Sequence, residues 1–297
     1  MLRRLLILLV LIGPAGAQSL EGIFDVHAHC DPDKTSRSLD VLELAKMYQD
    51  RGFRGFIVMN HFDPTAGYAY LARKHAPDLE IFGGIVLNHL IGGMNKHAVE
   101  HFVQIEGGYG KIVYMPTLDA EYEVGRDSGR PFTPISKDGK LLPEVLDMLD
   151  LIAKHKLVLS TGHSSPEEVL LLTREGKKRG IDKILATNPM PDGMSVAQMK
   201  EAGELGAMIE FIYYSASPSR RGGPPCTMKQ YADAIKVIGP EHCILSSCGG
   251  QGWMPVHKSA WIEYFSLLRK HGLTEKEIEL MAKVNPARLL GIKPYRK

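Results

Sequence analysis

The stretch IFDVHAHCDPD, residues 23–33, is a short apolar run that ends in two histidines one residue apart and then breaks at Asp-Pro-Asp. Read as a strand over Ile23–His27, it sends alternate side chains to opposite faces, so His27 and His29 project together from its C-terminal end. The rest of the chain decides which kind of sheet holds it. Seven further short runs rich in Val, Ile, Leu and Phe recur along the sequence: Gly55–Met59, Ile81–Leu87, Lys111–Met115, Leu157–Thr161, Lys183–Thr187, Ala207–Phe211 and Cys243–Ser247. Each is nearly continuous in its apolar character rather than alternating, the pattern of a parallel sheet covered on both faces.

Between these runs lie stretches of helical periodicity, including Leu39–Arg51, Asn95–Glu106, Leu142–His155, Pro166–Arg179, Met228–Ile238 and Lys258–His271. Ser165-Pro166-Glu167-Glu168 combines a capping hydroxyl, a first-turn proline and acids at the positive end of the dipole. Eight strand-then-helix units over about 250 residues predict an α/β fold of the closed (β/α)8 TIM-barrel type, as a single domain over residues 18–297. An open doubly wound sheet is the alternative. It is weakened because no glycine-rich dinucleotide fingerprint follows the first strand.

At 297 residues, 44% apolar and 24% charged, the chain has the balance of a globular protein, and a net charge of +2 without a basic, aromatic-laced face argues against a nucleic-acid partner. A small-molecule substrate is expected instead. Arg3 and Arg4, the apolar run Leu5–Ile12 and Ala15-Gly16-Ala17 read as a cleavable signal peptide over residues 1–17. The run is too short for a membrane span, so a secreted or periplasmic protein without a stable span after cleavage is expected. Cys30, Cys226, Cys243 and Cys248 are too few for a disulfide-dependent scaffold. A Cys30–Cys248 bridge across the closed barrel is disfavoured because Cys30 has the opposite parity to His29.

Histidines recur at strand ends. His27 and His29 end the first strand, His61 follows the second, His89 the third and His163 the fifth. Neutral imidazoles gathered at one end of a barrel are suited to a borderline divalent cation such as zinc. Two loops long enough to cover that end, Leu118–Lys140 and Tyr213–Cys226, carry Arg126, Arg130, Arg220 and Arg221, which hint at an anionic substrate.

With Asp25-Val26-His27-Ala28-His29 after strand one, Gly162-His163 after strand five and the ending Asn285-Pro286-Ala287-Arg288-Leu289-Leu290-Gly291, the chain resembles the amidohydrolase superfamily of metal-dependent hydrolases. Within it the closest likeness is to a poorly characterised branch, through Asn60-His61-Phe62, Gly84-Ile85-Val86-Leu87-Asn88, Gly92-Gly93-Met94-Asn95 and Met115-Pro116-Thr117. The resemblance implies one or two divalent metal ions, zinc first among them, at the C-terminal mouth. It also implies hydrolysis of an amide, ester or lactone-like bond by metal-activated water. It makes His27, His29 and His163 metal ligands and gives His61 a role only by likeness to the branch. Asn88 is a weaker candidate for substrate contact, with Arg220 and Arg221.

Two positions depart from the superfamily pattern. After strand six, where histidine is common, stands Asn188; after strand eight, where an aspartate receives the water's proton, stands Cys248. Asn188 is a competent amide donor to a substrate carbonyl. Cys248 has several readings: a ligand that with three histidines would fill a tetrahedron and leave no place for water, a nucleophile, or the mark of lost activity. If Cys248 stays off the metal, His61 or Asp119 must supply the missing base. The expected function is therefore a metal-dependent hydrolase. The alternative is a catalytically impaired barrel acting as an exported ligand-binding protein.

Overall fold

The computed structural model describes residues 19–125 and 128–294; the signal peptide expected over residues 1–17 and Arg126 lie outside the described residues. Eight parallel strands form one sheet in sequence order: β1 (Phe24–His29), β2 (Gly55–Met59), β3 (Glu80–Val86), β4 (Gly110–Tyr114), β5 (Val158–Ser160), β6 (Ile184–Ala186), β7 (Ala207–Ile212) and β8 (Cys243–Ser246). The first and last are joined just past the end of β8, where Ala28 bridges Gly249, His29 N donates to Gly249 O at 3.0 Å and Cys248 N donates to His27 O at 2.8 Å. The chain is a (β/α)8 barrel, and this seam excludes the open sheet. Helices fill the crossovers, and their buried faces pack on the strands from outside, as with Val145, Met148, Leu149 and Ile152 of Pro143–Lys154. Among the described residues no helix is long and apolar enough to cross a membrane.

Apolar side chains divide into an outer layer beneath the helices and an inner plug. Phe24, Val26, Ile57, Met59, Ile112, Tyr114, Val158, Leu185 and Ile244 fill the barrel, and Leu289 and Leu290 of the last helix (Asn285–Leu290) stop its lower end. That plug decides where chemistry can happen. With the interior filled, only the end at which the strands finish is left to form a site.

The seam is held from outside by one buried carboxylate. Asp25 accepts from His27 N (3.2 Å), Tyr48 Oη (2.7 Å), Ser247 N (3.1 Å), Ser247 Oγ and Trp261 Nε1 (3.2 Å). These five donors come from β1, the helix Val41–Asp50, the residue after β8 and the helix His257–Lys270. A carboxylate so buried is tolerable because every lone-pair direction is used.

Asp25 therefore faces the helices, and strict alternation would send His27 and His29 the same way. They do not go there, because the register of β1 on β2 jumps from Asp25↔Phe56 to Ala28↔Val58, three residues against two. The extra residue is a β-bulge. Phe24 and Val26 point into the plug, Ala28 and Cys30 join the outer layer, and the two histidines turn inward to the mouth. Just across the seam Gly250 (φ +116°) lies so close that a Cβ would stand 2.2 Å from His29 O. All four cysteines are free, so no Cys30–Cys248 bridge forms.

The Asp25→Ala variant strands five donors in the protein interior. A loss of about 3–5 kcal/mol in unfolding free energy is expected, the range for breaking a buried charged network, read as a lowered urea midpoint. Retention of wild-type stability would show that the seam does not depend on this carboxylate.

Candidate metal centre

The mouth of the barrel opens into a cavity of about 600 Å³ whose lining includes His27, His29, His61, His163, Asn188 and Cys248. At its floor His27, His29 and Cys248 each offer one ligand atom, and the three atoms lie within 4.8 Å of one another. His27 is oriented from behind: Oε1 of Glu210, on β7, stands 3.2 Å from its Nδ1 and also accepts from Ser246 Oγ of β8 at 2.6 Å. The other ring nitrogen, Nε2, is buried with no hydrogen-bond partner among the described residues, and so is Nδ1 of His29. Buried polar atoms normally find a partner, so two orphaned imidazole nitrogens beside a thiol mark a place shaped for something electrophilic. Two imidazoles and a sulfur fit zinc or a similar borderline ion.

Electrostatics separate the imidazoles. Burial works against a charged His27, but Cys248 and Glu210 outweigh it and hold its pKa well above the ordinary value. Burial, with Arg37 and the neighbouring histidines, pushes His29 well below; burial, His163 and His27 do the same to His61. His29 and His61 are thus neutral donors at neutral pH, the form a cation requires.

Four imidazoles stand in a row across the mouth, with ring centroids 5.2 Å apart from His27 to His29, 5.2 Å from His29 to His61 and 6.2 Å from His61 to His163. The grouping differs from the expected set of three histidines. Cys248 takes the third place beside His27 and His29, while His163 stands farther along the wall with Nδ1 3.6 Å from Glu123 Oε2, too long for a hydrogen bond. Gly162 makes that placement by a close approach. At φ +61° it lies where a Cβ would stand 2.3 Å from both Met115 O and Pro116 O.

Other expected residues are distributed unevenly. Asn188 is in the cavity with a left-handed backbone (φ +50°), its Oδ1 accepting from Ser215 Oγ at 2.8 Å; Cys248 is left-handed too (φ +45°). Asn188 and Cys248 thus both fall on strained turns at strand ends. Asn88 is corrected. It is fully buried, its Nδ2 donates to His61 O (2.9 Å) and Thr117 Oγ1 (3.0 Å), and its Oδ1 accepts from Thr117 N (2.8 Å), which leaves nothing for a substrate. It braces His61, whose Nδ1 meets the same Thr117 hydroxyl at 2.8 Å. Asp119 is engaged elsewhere, accepting from Leu90 N at 3.4 Å outside the cavity lining. Arg220 lines the cavity; Arg221 stands one layer out, over the Trp253 ring at 5.2 Å.

Sequence reading missed three carboxylates, Glu123 beside His163 among them. Glu210 is the lone acid in the buried run AMIEFI, and a charge in such a strand needs a partner, so it was there to be noticed. Asp192 left no such signal, since only the fold of the loop after β6 brings it to the cavity wall. There burial raises its carboxyl to about 7, with His163 opposing and Glu123 assisting, and its Oδ2 has no hydrogen-bond partner among the described residues.

Solved structures share the fold at low identity. A metallo peptidase from Rhodobacter sphaeroides liganded with a phosphinate mimic of the dipeptide L-Ala-D-Ala superposes with a TM-score of 0.61 at 13% identity, covering 92% of this chain and 99% of that one. An amidohydrolase from Burkholderia multivorans with bound zinc gives 0.60 at 10%, with 91% and 99% covered. A resiniferatoxin-binding protein from Rhodobacter sphaeroides gives 0.59 at 14%, with 93% of each covered. No curated protein matches the sequence. Residues 22–210, from the strand that carries the two histidines through Glu210, match the family of unknown function DUF6282, and the chain belongs to that family.

Proposed function

We propose that the protein is a metal-dependent hydrolase of the amidohydrolase type, cleaving an amide, ester or lactone-like bond of a small molecule. The observation that carries this reading is the trio His27, His29 and Cys248, with its orphaned imidazole nitrogens on the floor of a substrate-sized cavity. The His-x-His and Gly162-His163 motifs support it, as does a fold shared with a metallo peptidase and a zinc-bound amidohydrolase. The arginine pair and apolar run within residues 1–17 support export as part of the same reading.

Three protein ligands are the complement of an open catalytic zinc site, whereas four would close it. Because His163 stands apart, thiol ligation by Cys248 is compatible with an open position. A divalent cation held by the trio would polarise a substrate carbonyl and acidify water. The remaining work falls to the chain. Glu210 fixes the His27 ring so that Nε2 faces the cavity. Asn188, tied to Ser215, offers its amide to the substrate. Asp192 Oδ2, on a carboxyl raised to about 7, is the group matched to accept a proton near pH 7, in place of the aspartate expected where Cys248 stands.

Protein purified without chelators should contain about one zinc per chain, and no stoichiometric metal would overturn the reading. Substitution with cobalt should give a thiolate charge-transfer band in the near ultraviolet that is lost in Cys248→Ser. His27→Ala should lose the metal and keep its circular dichroism and most of its stability, because the barrel plug lies below the site. Glu210→Gln should bind metal about 10–100-fold more weakly, as removal of a partner behind a ligand typically does. Metal-loaded protein should hydrolyse members of a panel of amides, esters and lactones, with activity lost on chelation and restored by zinc. No turnover by metal-loaded wild type, with activity gained in Cys248→Asp, would select the impaired ligand-binding barrel instead.

A further inference from the structure

The cations at the mouth are treated in two ways. Arg37 is already neutralised, its Nη2 lying 2.6 Å from Asp33 Oδ2 in a pair screened from solvent. Among the described residues Lys34, Arg220 and Arg221 have no carboxylate partner and are each parked on an aromatic ring instead. Lys34 Nζ is 4.9 Å from the Phe62 centroid, and the guanidinium carbons of Arg220 and Arg221 are 5.1 Å and 5.2 Å from those of Tyr214 and Trp253. A ring holds a cation in place without consuming its N–H donors. Phe62, Tyr214 and Trp253 all line the cavity.

Arg220 is the most prepared of the three. Its Nη1 donates to Gly223 O at 2.8 Å, which fixes the plane of the group within its own loop, while Nε is buried with no acceptor among the described residues. The edge left over, Nε with Nη2, is the fork that takes two oxygens of a carboxylate or phosphate. A buried N–H without an acceptor is otherwise a cost with no return. The mouth is also polarised. Glu123 and Asp192 belong to the loops after β4 and β6, while Arg220 and Lys34 follow β7 and β1 on either side of Cys248. An anion is therefore favoured on the Cys248 side and repelled from the His163 side.

We propose that Arg220 anchors an oxyanion subsite, assisted by Lys34, and that the substrate carries a carboxylate or phosphate group apart from the bond to be cleaved. The placement of that bond rests on the hydrolase reading; the subsite does not. Three probes separate the cases: N-acetylglycine, its neutral analogue N-acetylglycinamide, and inorganic phosphate. The chain has two tryptophans; Trp261 is fully buried and Trp253, 45% exposed, lines the cavity, so intrinsic fluorescence reports occupancy. Titrations run on zinc-loaded and on chelator-treated protein.

At least one anion should bind about tenfold or more tightly than the neutral amide, the scale of a hydrogen bond to a charged group. Arg220→Ala should erase that preference, and Arg220→Lys, which keeps the charge and loses the fork, should retain part of it. The better of the two anions identifies the group as carboxylate or phosphate. Equal binding of anion and amide, binding of neither anion, or a preference unchanged in Arg220→Ala would each overturn the proposal. An Arg220-dependent preference in protein that binds no zinc would leave the subsite standing and remove the hydrolase reading.

Discussion

One buried carboxylate sets the terms for the rest of the molecule. Asp25 gathers donors from β1, from the residue after β8 and from two helices, and so fastens the place where the barrel's first and last strands meet. Burying a charge is expensive unless its hydrogen-bonding capacity is fully used, and here that requirement dictates geometry. Because Asp25 must face outward to reach Tyr48 and Trp261, the strand has to change parity within two residues to bring its histidines inward. The bulge between Asp25 and Ala28 is that change. Barrel closure and the aim of the cavity-facing nitrogens are thus one structural problem with one solution.

The same economy explains why the floor of the cavity is built from both sides of the seam. His27 and His29 end β1, Cys248 follows β8, and Glu210 and Ser246 stand behind them on β7 and β8. β1 supplies the two imidazoles, and the left-handed turn just past β8 supplies the sulfur, held to the seam by Cys248 N donating to His27 O. The opposite wall is different in kind. His163, Glu123 and Asp192 are positioned by turns and loops, with the Gly162 backbone lying against Met115 O and Pro116 O. The cavity joins a half fastened to the seam and a half shaped by loops.

Much of the fold was legible because burial on both faces leaves little choice of residue: each barrel strand had to be an apolar run, and all eight were visible as such. The histidine pair was legible for the converse reason, since two polar rings at the end of an apolar strand are conspicuous. The bulge was not, because an extra residue in a strand changes orientation without changing composition. Asn88 misled because an asparagine just past a strand looks the same whether it faces a ligand or braces a loop; only the partners of its amide decide. Cys248 stood out as a departure, but its company with His27 and His29 rather than with three histidines depends on distances across the mouth. Asp192 owes its unusual carboxyl to burial by loops whose course no local pattern encodes.

The Asp25–Ser247 contact joins residues 222 positions apart, which has a consequence for the order of assembly. Contacts of such separation carry the loop-closure cost of most of the chain, which the intervening units reduce as they pair. Neither end of the barrel holds a complete donor set alone, and the trio comes into being with the final closure. A chain halfway to its native state offers imidazoles to solvent without the sulfur that completes the set. The site is therefore a built-in record of finished folding.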